Sequence, residues 1–277
     1  MKRSQRERLQ AVFGDPIASI DPISGGDIND AYRVRLADGR RVFVKSHDGA
    51  PADLFAAEAA GLDWLRESPL RVPRVLGIGD DWLALEWLDL AGRPDPAAFG
   101  RGLAMLHRLG APTFGLDHDN FLATLPQSNT SADDWPTFYV ERRLRPLCEQ
   151  ARTQRAMPDV SARLDALADH RDRFGPAEPP ARLHGDLWWG NVGACGSEPV
   201  VFDPAVYGGH REVDIAMLAL FGGLPDMLVA AYDEVFPLAA GWRERIPLHQ
   251  LYPLAAHACL FGGGYGARVV AVLDALA

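Results

Sequence analysis

The sequence contains few cysteines and lacks the motifs that define several large enzyme classes. Its three cysteines, Cys148, Cys195 and Cys259, are odd in number and far apart, which indicates neither a disulfide framework nor a metal site. No G-x-x-x-x-G-K-[ST], H-E-x-x-H, G-x-S-x-G or paired C-x-x-C pattern occurs, so P-loop, zinc-protease, hydrolase and thioredoxin-like chemistries have no support. We expect structural thiols in a reducing, cytoplasmic setting.

Basic charge and long apolar runs are also lacking. The formal net charge of -9 at pH 7 argues against nucleic acid as a partner, because phosphate backbones select basic faces. No apolar run approaches the length of a membrane span, and the basic residues 1–6 are not followed by an apolar segment. The sequence thus predicts no membrane partner and no secretory signal. With 277 residues, 48% of them hydrophobic, the chain can form two lobes with separate cores.

The first ninety residues predict a small sheet-rich lobe. Alternating apolar residues flank the hairpin signal Asp38-Gly39, and a segment of helical spacing separates this pair of strands from a second pair. The order strand, strand, helix, strand, strand is typical of a kinase amino-terminal lobe. The predicted elements are a short leading helix and a turn within residues 1–20, strands at 32–36 and 41–45, a helix at 52–67, and strands at 75–78 and 82–87.

After residue 90 a glycine- and proline-rich linker precedes a mainly helical region. The exception is a strand-like stretch over residues 182–203. We therefore predict an α+β, two-lobed, protein-kinase-like fold, with an antiparallel-sheet lobe over residues 1–89, a helical lobe over residues 90–277, and a nucleotide in the crevice between them. The predicted helices span residues 97–109, 134–153, 159–174, 212–222, 225–236 and 247–260.

Three polar residues predict phosphoryl transfer. Asn191 follows Asp186 by five residues, and Asp203 follows Asn191 by twelve, at the end of an apolar strand. Protein kinases space their catalytic-loop Asp and Asn in this way and place a metal-binding Asp on a nearby strand. Asp186 is predicted to accept the proton of a substrate hydroxyl, and Asn191 and Asp203 to hold a metal ion. Gly185 stands where protein kinases have Arg, which favours a small-molecule kinase.

Other positions are predicted to bind or support the nucleotide. Lys45 ends an apolar strand and Glu58 is the lone charge on an alanine-rich helical stretch, so an ion pair that steadies phosphates is expected, although a solvated strand end is the simpler alternative. A plain turn and an exposed strand acid are likewise alternatives for the glycine loop and for Glu86. The predicted nucleotide-binding residues are Gly25, Gly26, Asp27, Asn29, Lys45, Glu58, Glu86 and Leu88.

Four further residues flank the catalytic segment. His184 is predicted to support the loop by hydrogen bonding. Asp214 opens an apolar helix, and either interacts with the start of that helix or ties the catalytic loop from behind. One of Trp188 and Trp189 is expected to pack beneath the loop and the other to face a sugar, and the sequence leaves both assignments open. The glycine-rich run at 262–267 is expected to be a helix-ending turn, because too few residues follow it for a dinucleotide-binding unit.

The chain resembles the fructosamine kinase (ketosamine 3-kinase) family over almost its whole length. The resemblance is carried by three segments. The chain differs from the common family pattern at Trp189, where a small residue is common, and at Gly208, where a Tyr is common. These differences put the acceptor preference in doubt. The phosphate loop has no cysteine, so control by a loop disulfide is not implied. The segments are Leu183-His184-Gly185-Asp186-Leu187-Trp188 with Gly190-Asn191, Asp203-Pro204-Ala205-Val206-Tyr207 with Gly209-His210-Arg211-Glu212, and Leu251-Tyr252-Pro253-Leu254 with Leu260-Phe261-Gly262-Gly263-Gly264-Tyr265.

The resemblance implies an ATP- and Mg²⁺-dependent kinase that phosphorylates the 3-hydroxyl of a ketosamine, free or on a glycated protein lysine, and so promotes deglycation. It also implies an acceptor site near Trp188, Trp189, Tyr207, His210 and Arg211, and a monomer or weak dimer. Two alternatives stay open at this point. One is an aminoglycoside- or choline-type kinase of the same fold; the other is a non-catalytic nucleotide-binding module, which the intact set of polar residues disfavours.

Overall fold

The sheet-rich lobe contains one more strand than the sequence predicts. The computed structural model describes residues 1, 3–23 and 28–276. Its five strands are antiparallel neighbours in the order β1-β2-β3-β5-β4. The elements of this lobe are α1 (Arg3–Phe13), β1 (Ile17–Ile23), β2 (Asp30–Leu36), β3 (Arg41–Ser46), α2 (Leu54–Leu65), β4 (Val75–Gly79) and β5 (Trp82–Glu86).

The extra strand, β1, lies where the sequence predicts the end of a leading helix and a turn. Asp21 and Pro22 interrupt its apolar pattern, and Pro22 lacks the N–H that a central strand needs. The strand forms the edge of the sheet and pairs only with β2, where a proline is tolerated. The glycine loop therefore connects two paired strands instead of preceding the first one; residues 24–27 themselves lie outside the described ranges.

The larger lobe is mainly helical, with short hairpins inserted. A helix predicted over 134–153 runs from α4 through a π-helical stretch to α5. The hairpin β6–β7 and the helix α10 were not predicted. The elements are α3 (Pro96–Arg108), β6 (Asn120–Leu122), β7 (Leu125–Gln127), α4 (Trp135–Phe138), a π-helix (Tyr139–Leu144), α5 (Arg145–Thr153), α6 (Ser161–Asp169), a 3-10 helix (Arg171–Phe174), β8 (Ala181–Leu183), a 3-10 helix (Trp189–Asn191), β9 (Val192–Cys195), β10 (Glu198–Val201), β11 (Tyr207–Gly209), α7 (Glu212–Leu220), α8 (Asp226–Val235), α9 (Trp242–Phe261) and α10 (Tyr265–Leu276).

The break between α9 and α10 confirms the expected helix-ending turn. Gly262 and Gly263 both have φ of 62°, the left-handed conformation that glycine adopts readily at helix ends. Within the described ranges, none of the helices combines the length and apolar character that crossing a bilayer requires.

One core is shared between the lobes and fixes their relative position. Phe55 and Leu62 of α2 belong to the same buried cluster as Leu103 of α3 and Leu218 of α7. Arg71 adds main-chain links, since its N–H donates to Pro199 and its carbonyl accepts from Val201, each at 2.9 Å. The predicted boundary between residues 89 and 90 falls between β5 and α3. The lobes thus hold the two walls of a cleft in a defined arrangement.

Candidate active site

The cleft between the lobes has a volume of about 900 Å³. One half is lined by strand residues and by the segment that joins the lobes, including Phe43, Leu85 and Leu88. The other half is lined by the helical lobe, including Phe121 and His257. Asp186, Asn191 and Asp203 line the same cleft, together with Lys45 and Glu58. The geometry therefore brings together residues that are far apart in sequence.

The loop that carries Asp186 is held from behind by α7. The Asp214 carboxylate accepts hydrogen bonds from the N–H groups of His184 at 2.8 Å and Gly185 at 3.0 Å. His184 in turn contacts the Phe202 carbonyl through Nε2 at 3.0 Å. Burial lowers the pKa of His184, so the ring is neutral near pH 7. These contacts match the supporting positions predicted for His184 and Asp214.

Gly185 occupies a position that other residues fit poorly. Its φ is +83°, and a Cβ at this position would lie 1.9 Å from the Ala205 carbonyl oxygen. The Ala205 N–H also donates to the His184 carbonyl at 2.9 Å. The catalytic loop and the segment after Asp203 are therefore in direct contact, and the small residue at 185 permits that contact.

Replacing Gly185 with alanine is expected to lower kcat at least tenfold, because the clash with Ala205 displaces both halves of the site and small displacements are costly in catalysis. Gly196→Ala is a matched control, since Gly196 also has positive φ, 61°, but a Cβ there meets nothing within 4 Å. Steady-state kinetics on both variants check this. Equal losses in both would assign the effect to backbone strain alone.

Asn191 links the two predicted aspartates, Asp186 and Asp203. Its side-chain nitrogen donates to the Asp186 carbonyl at 2.9 Å and to Asp186 Oδ2 at 3.2 Å, with a longer contact of 3.4 Å to the Asp203 carbonyl. Burial raises the pKa of Asp186 to about 7, with the nearby Asp203 carboxylate adding to the rise and the Asn191 hydrogen bond opposing it. A carboxyl with a pKa near neutrality is suited to accept a proton from a hydroxyl.

Lys45 pairs with two carboxylates. Its Nζ lies 2.6 Å from Glu58 Oε1 and 2.9 Å from Asp203 Oδ1. The Lys45 side chain is only 5% exposed, whereas that of Asp203 is 45% exposed. Burial lowers the pKa of Lys45, but the Asp203 and Glu58 carboxylates outweigh it and the pKa is raised overall. The predicted ion pair with Glu58 is therefore present; the contact with Asp203 was not predicted.

The remaining predicted nucleotide positions fall in two groups. Asn29, Glu86 and Leu88 line the cleft. The Glu86 carboxylate turns toward Arg71 at 3.0 Å and Arg74 at 3.4 Å, so contact with a base would come from the main chain. The others, Gly25, Gly26 and Asp27, lie outside the described residues.

The tertiary structure separates the two adjacent tryptophans. Trp188 is 40% exposed and lines the cleft, and its ring lies over Gly190, where a Cβ would come within 2.1 Å of it. Trp189 is buried and packs on Phe99, with ring centroids 5.8 Å apart. Trp188 thus faces the cleft, whereas Trp189 belongs to the core.

The structure also corrects the other predicted acceptor contacts. Tyr207, His210 and Arg211 are each at most 3% exposed and are not part of the cleft lining. The Arg143 guanidinium lies 4.0 Å from the Tyr207 ring centroid, and Arg211 forms an ion pair with Glu178 at 2.7 Å. These residues support the core behind the cleft, because β11 and the turn after it lead away from Asp203 into the helical lobe.

His210 is expected to make stability depend on pH. Burial, followed by the neighbouring His249, lowers the pKa of His210 from 6.5 to about 3. Between these values the unfolded chain binds a proton that the folded chain does not, so the free energy of unfolding falls as pH falls, by up to about 1.4 kcal/mol per pH unit. Denaturant unfolding from pH 5 to 7.5 should show a smaller slope for His210→Asn. The exposed control His170→Asn should leave the slope unchanged; an unchanged slope in His210→Asn would contradict the assignment.

Sequence patterns did not reveal several cleft residues. Phe121, Phe221 and His257 come from β6, from the end of α7 and from α9, and they line the cleft together with Trp188. Phe221 and His257 have ring centroids 4.8 Å apart. None of them sits in a motif with characteristic spacing, since their proximity depends on how three separate elements pack.

Comparison with known proteins shows which family this chain is similar to. A family model described as fructosamine kinase matches residues 1–277. A relative from Enterococcus faecium, named "Probable ketoamine kinase", is 38% identical over 262 residues, which cover 91% of this chain and 93% of the relative. The solved structure of a "putative fructosamine-3-kinase" from Thermobifida fusca YX-ER1 is 46% identical, covers 99% of both chains and has a TM-score of 0.88.

More distant structures share the fold alone. The choline kinase LicA, solved in complex with AMP, is 14% identical to this chain, with a TM-score of 0.67. The match covers 100% of this chain and 99% of the LicA chain. The α+β, protein-kinase-like fold predicted from the sequence is therefore confirmed. With the whole-chain match, the fold and the intact polar set, the chain belongs to the fructosamine kinase family and is a phosphotransferase.

Proposed function

We propose that the protein transfers the γ-phosphoryl group of ATP to the 3-hydroxyl of a ketosamine, an Amadori-type sugar adduct of an amine. The observation that carries the proposal is the convergence of Lys45, Asp186, Asn191 and Asp203 at one cleft in a chain of this family. A 3-phosphorylated ketosamine is expected to shed its sugar, so the reaction would free the amine and reverse glycation. The acceptor amine would be free or would belong to a protein lysine.

Each polar residue has a defined task in this mechanism. Asp186 accepts the proton of the sugar hydroxyl as the hydroxyl oxygen attacks the γ-phosphorus and ADP departs. The Asn191 hydrogen bond to Asp186 Oδ2 orients the carboxylate. Lys45, held by Glu58, places positive charge against the phosphates. Because the transition state of phosphoryl transfer is loose, positioning and charge neutralisation supply most of the catalysis.

The donor set fits Mg²⁺, which prefers carboxylate and amide oxygens. The side-chain nitrogen of Asn191 is hydrogen-bonded to Asp186, which leaves its oxygen as the atom to coordinate an ion. Asp203 has positive φ, 55°, and presents a partly exposed carboxylate to the cleft. Asn191 and Asp203 would therefore hold the ion, which would neutralise charge on the phosphates when bound.

The helical half of the cleft suits the acceptor. Trp188 offers an exposed indole face next to the Asp186 loop, and aromatic faces pack well against the C–H faces of sugars. The strand half contains Lys45, Glu86 and Leu88, where a nucleotide would lie. Asp186 lines the cleft with both sets, as transfer between the two ligands requires.

The direct test is ATP consumption in the presence of Mg²⁺ with ribulose-, erythrulose- and fructose-derived lysine adducts, with choline and an aminoglycoside as controls. We expect turnover on ketosamines alone, giving a 3-phosphate that decays to free lysine. Turnover confined to choline or the aminoglycoside would replace the acceptor while keeping the phosphotransfer mechanism. Running Asp186→Asn in parallel excludes a contaminating kinase.

A further inference from the structure

Trp189 binds a loop that borders the acceptor half of the cleft. Its indole Nε1 donates to the Gly223 carbonyl at 2.8 Å. The Trp189 ring makes two further contacts. It packs on Phe99, and the Arg93 guanidinium lies 4.4 Å from its centroid. The ring is thus fixed in the core of the helical lobe and can hold the loop in place.

The loop depends on this contact because its own residues are conformationally free. It joins α7 to α8 through adjacent glycines, Gly222 with φ of 142° and Gly223 with φ of 79°. A Cβ on Gly222 would lie 2.7 Å from Trp189 Cδ1, so the backbone lies directly on the indole. Two glycines allow many backbone conformations, and the hydrogen bond with the close contact selects one of them.

The selected conformation positions Phe221 in the acceptor half of the cleft. Phe221 immediately precedes the glycines and lines the cleft. Its ring meets Trp188 edge-on, with centroids 6.4 Å apart, and lies 4.8 Å from the His257 ring. Trp188, Phe221 and His257 therefore form a continuous aromatic wall beside Asp186, and one member of that wall is fixed through Trp189.

We propose that Trp189 is a positioning residue that determines acceptor specificity by fixing Phe221. It never meets the acceptor itself. The wall it maintains limits the space beside the reacting hydroxyl, so it favours compact ketosamines whose apolar face packs on aromatic rings, and it disfavours adducts with bulky sugars or amines. This inference rests on the proposed function for the identity of the acceptor.

Trp189→Phe tests the proposal, because it keeps an aromatic ring and removes the indole N–H. Loss of one hydrogen bond of about 1 kcal/mol corresponds to roughly a fivefold change. We expect the KM for the erythrulose-lysine adduct to rise about fivefold, with kcat and the KM for ATP within twofold of the parent protein. The ratio of kcat/KM for the bulkier fructose-lysine adduct to that for erythrulose-lysine should increase at least threefold.

Trp135→Phe is the matched control. Trp135 is also buried in the helical lobe, and its indole nitrogen has no hydrogen-bond partner among the residues that the structure describes. Its replacement should leave the acceptor KM and the adduct ratio unchanged. A purely structural role for Trp189 would instead lower kcat and weaken ATP binding in parallel, with no change in the ratio, and that result would overturn the proposal.

A measurement without acceptor separates this inference from the proposed function. Amide hydrogen exchange should accelerate at least tenfold over residues 218–221, the end of α7 and the residue that follows it, in Trp189→Phe and should stay unchanged there in Trp135→Phe. Unchanged exchange in Trp189→Phe would overturn the role of Trp189, whatever the acceptor is. If exchange accelerates but no ketosamine is phosphorylated by the parent protein, the proposed acceptor is wrong while the loop contact stands.

Discussion

Replacing Asp186 with asparagine is expected to lower kcat at least about a hundredfold, in the range that general-base catalysis contributes, while the KM for ATP changes less than threefold. The substitution keeps the shape of the side chain and a carbonyl that can accept from Asn191, but it removes the group that takes the hydroxyl proton. Steady-state kinetics with the best ketosamine, at saturating Mg²⁺, measure both constants.

Asp169→Asn is a suitable control, because Asp169 is exposed at the end of α6. It should retain full activity and unfold at the same denaturant concentration as the parent protein. Asp186→Asn should unfold at a denaturant concentration no lower than that of the parent protein, because burial raises the pKa of the Asp186 carboxyl to about 7 and the neutral amide removes the cost of a buried charge. If Asp186→Asn keeps more than a third of the parent kcat, Asp186 does not act as the base, and the hydroxyl proton must leave by another route.

Lys45→Met is expected to have the second-largest effect. It removes the cation that meets the phosphates, so kcat/KM for ATP should fall at least about a hundredfold, the size of effect that charge stabilisation at a reacting group produces. It also leaves Glu58 buried without its partner, which should lower the free energy of unfolding by up to roughly 5 kcal/mol. Kinetics and denaturant unfolding measure the two effects separately.

A double variant, Lys45→Met with Glu58→Gln, distinguishes catalysis from stability. It removes both charges, so the free energy of unfolding should recover toward that of the parent protein, because no unpaired charge stays buried. Turnover should stay low, since the phosphates still lack their cation. Recovery of kcat/KM in the double variant would show that Lys45 acts only by keeping the lobe folded.

The chain also offers a simple chemical check on Lys45. Lysine occurs at only two positions, Lys2 and Lys45. An amine-reactive ATP analogue that binds in the cleft should label Lys45, and ATP should protect Lys45 from labelling. Because there is only one other lysine, mass spectrometry can assign the labelled site without ambiguity. Labelling that ATP does not reduce would place Lys45 outside the nucleotide site.

The sequence alone determined the polar set and the type of fold. Asp186, Asn191 and Asp203 could be identified because they lie within one short segment, where spacing along the chain limits spacing in space. Lys45 and Glu58 could be paired because each follows from a local pattern, a strand end and a lone carboxylate on an alanine-rich helix. Hairpin and helix signals then gave the order of elements in the first lobe, except for β1. This edge strand was not predicted because Asp21 and Pro22 interrupt its apolar pattern.

Only the tertiary structure decided which side chains face the acceptor. Trp188 and Trp189 are adjacent and chemically identical, yet one lines the cleft and the other is buried, because the backbone turns into a 3-10 helix between them. Tyr207, His210 and Arg211 are close to Asp203 in sequence, but β11 carries them behind the cleft. Phe221 and His257 are far from Trp188 in sequence, yet Phe221 meets Trp188 and His257 meets Phe221 through the packing of α7 and α9. Such contacts depend on long-range packing of buried surfaces, which local spacing does not encode.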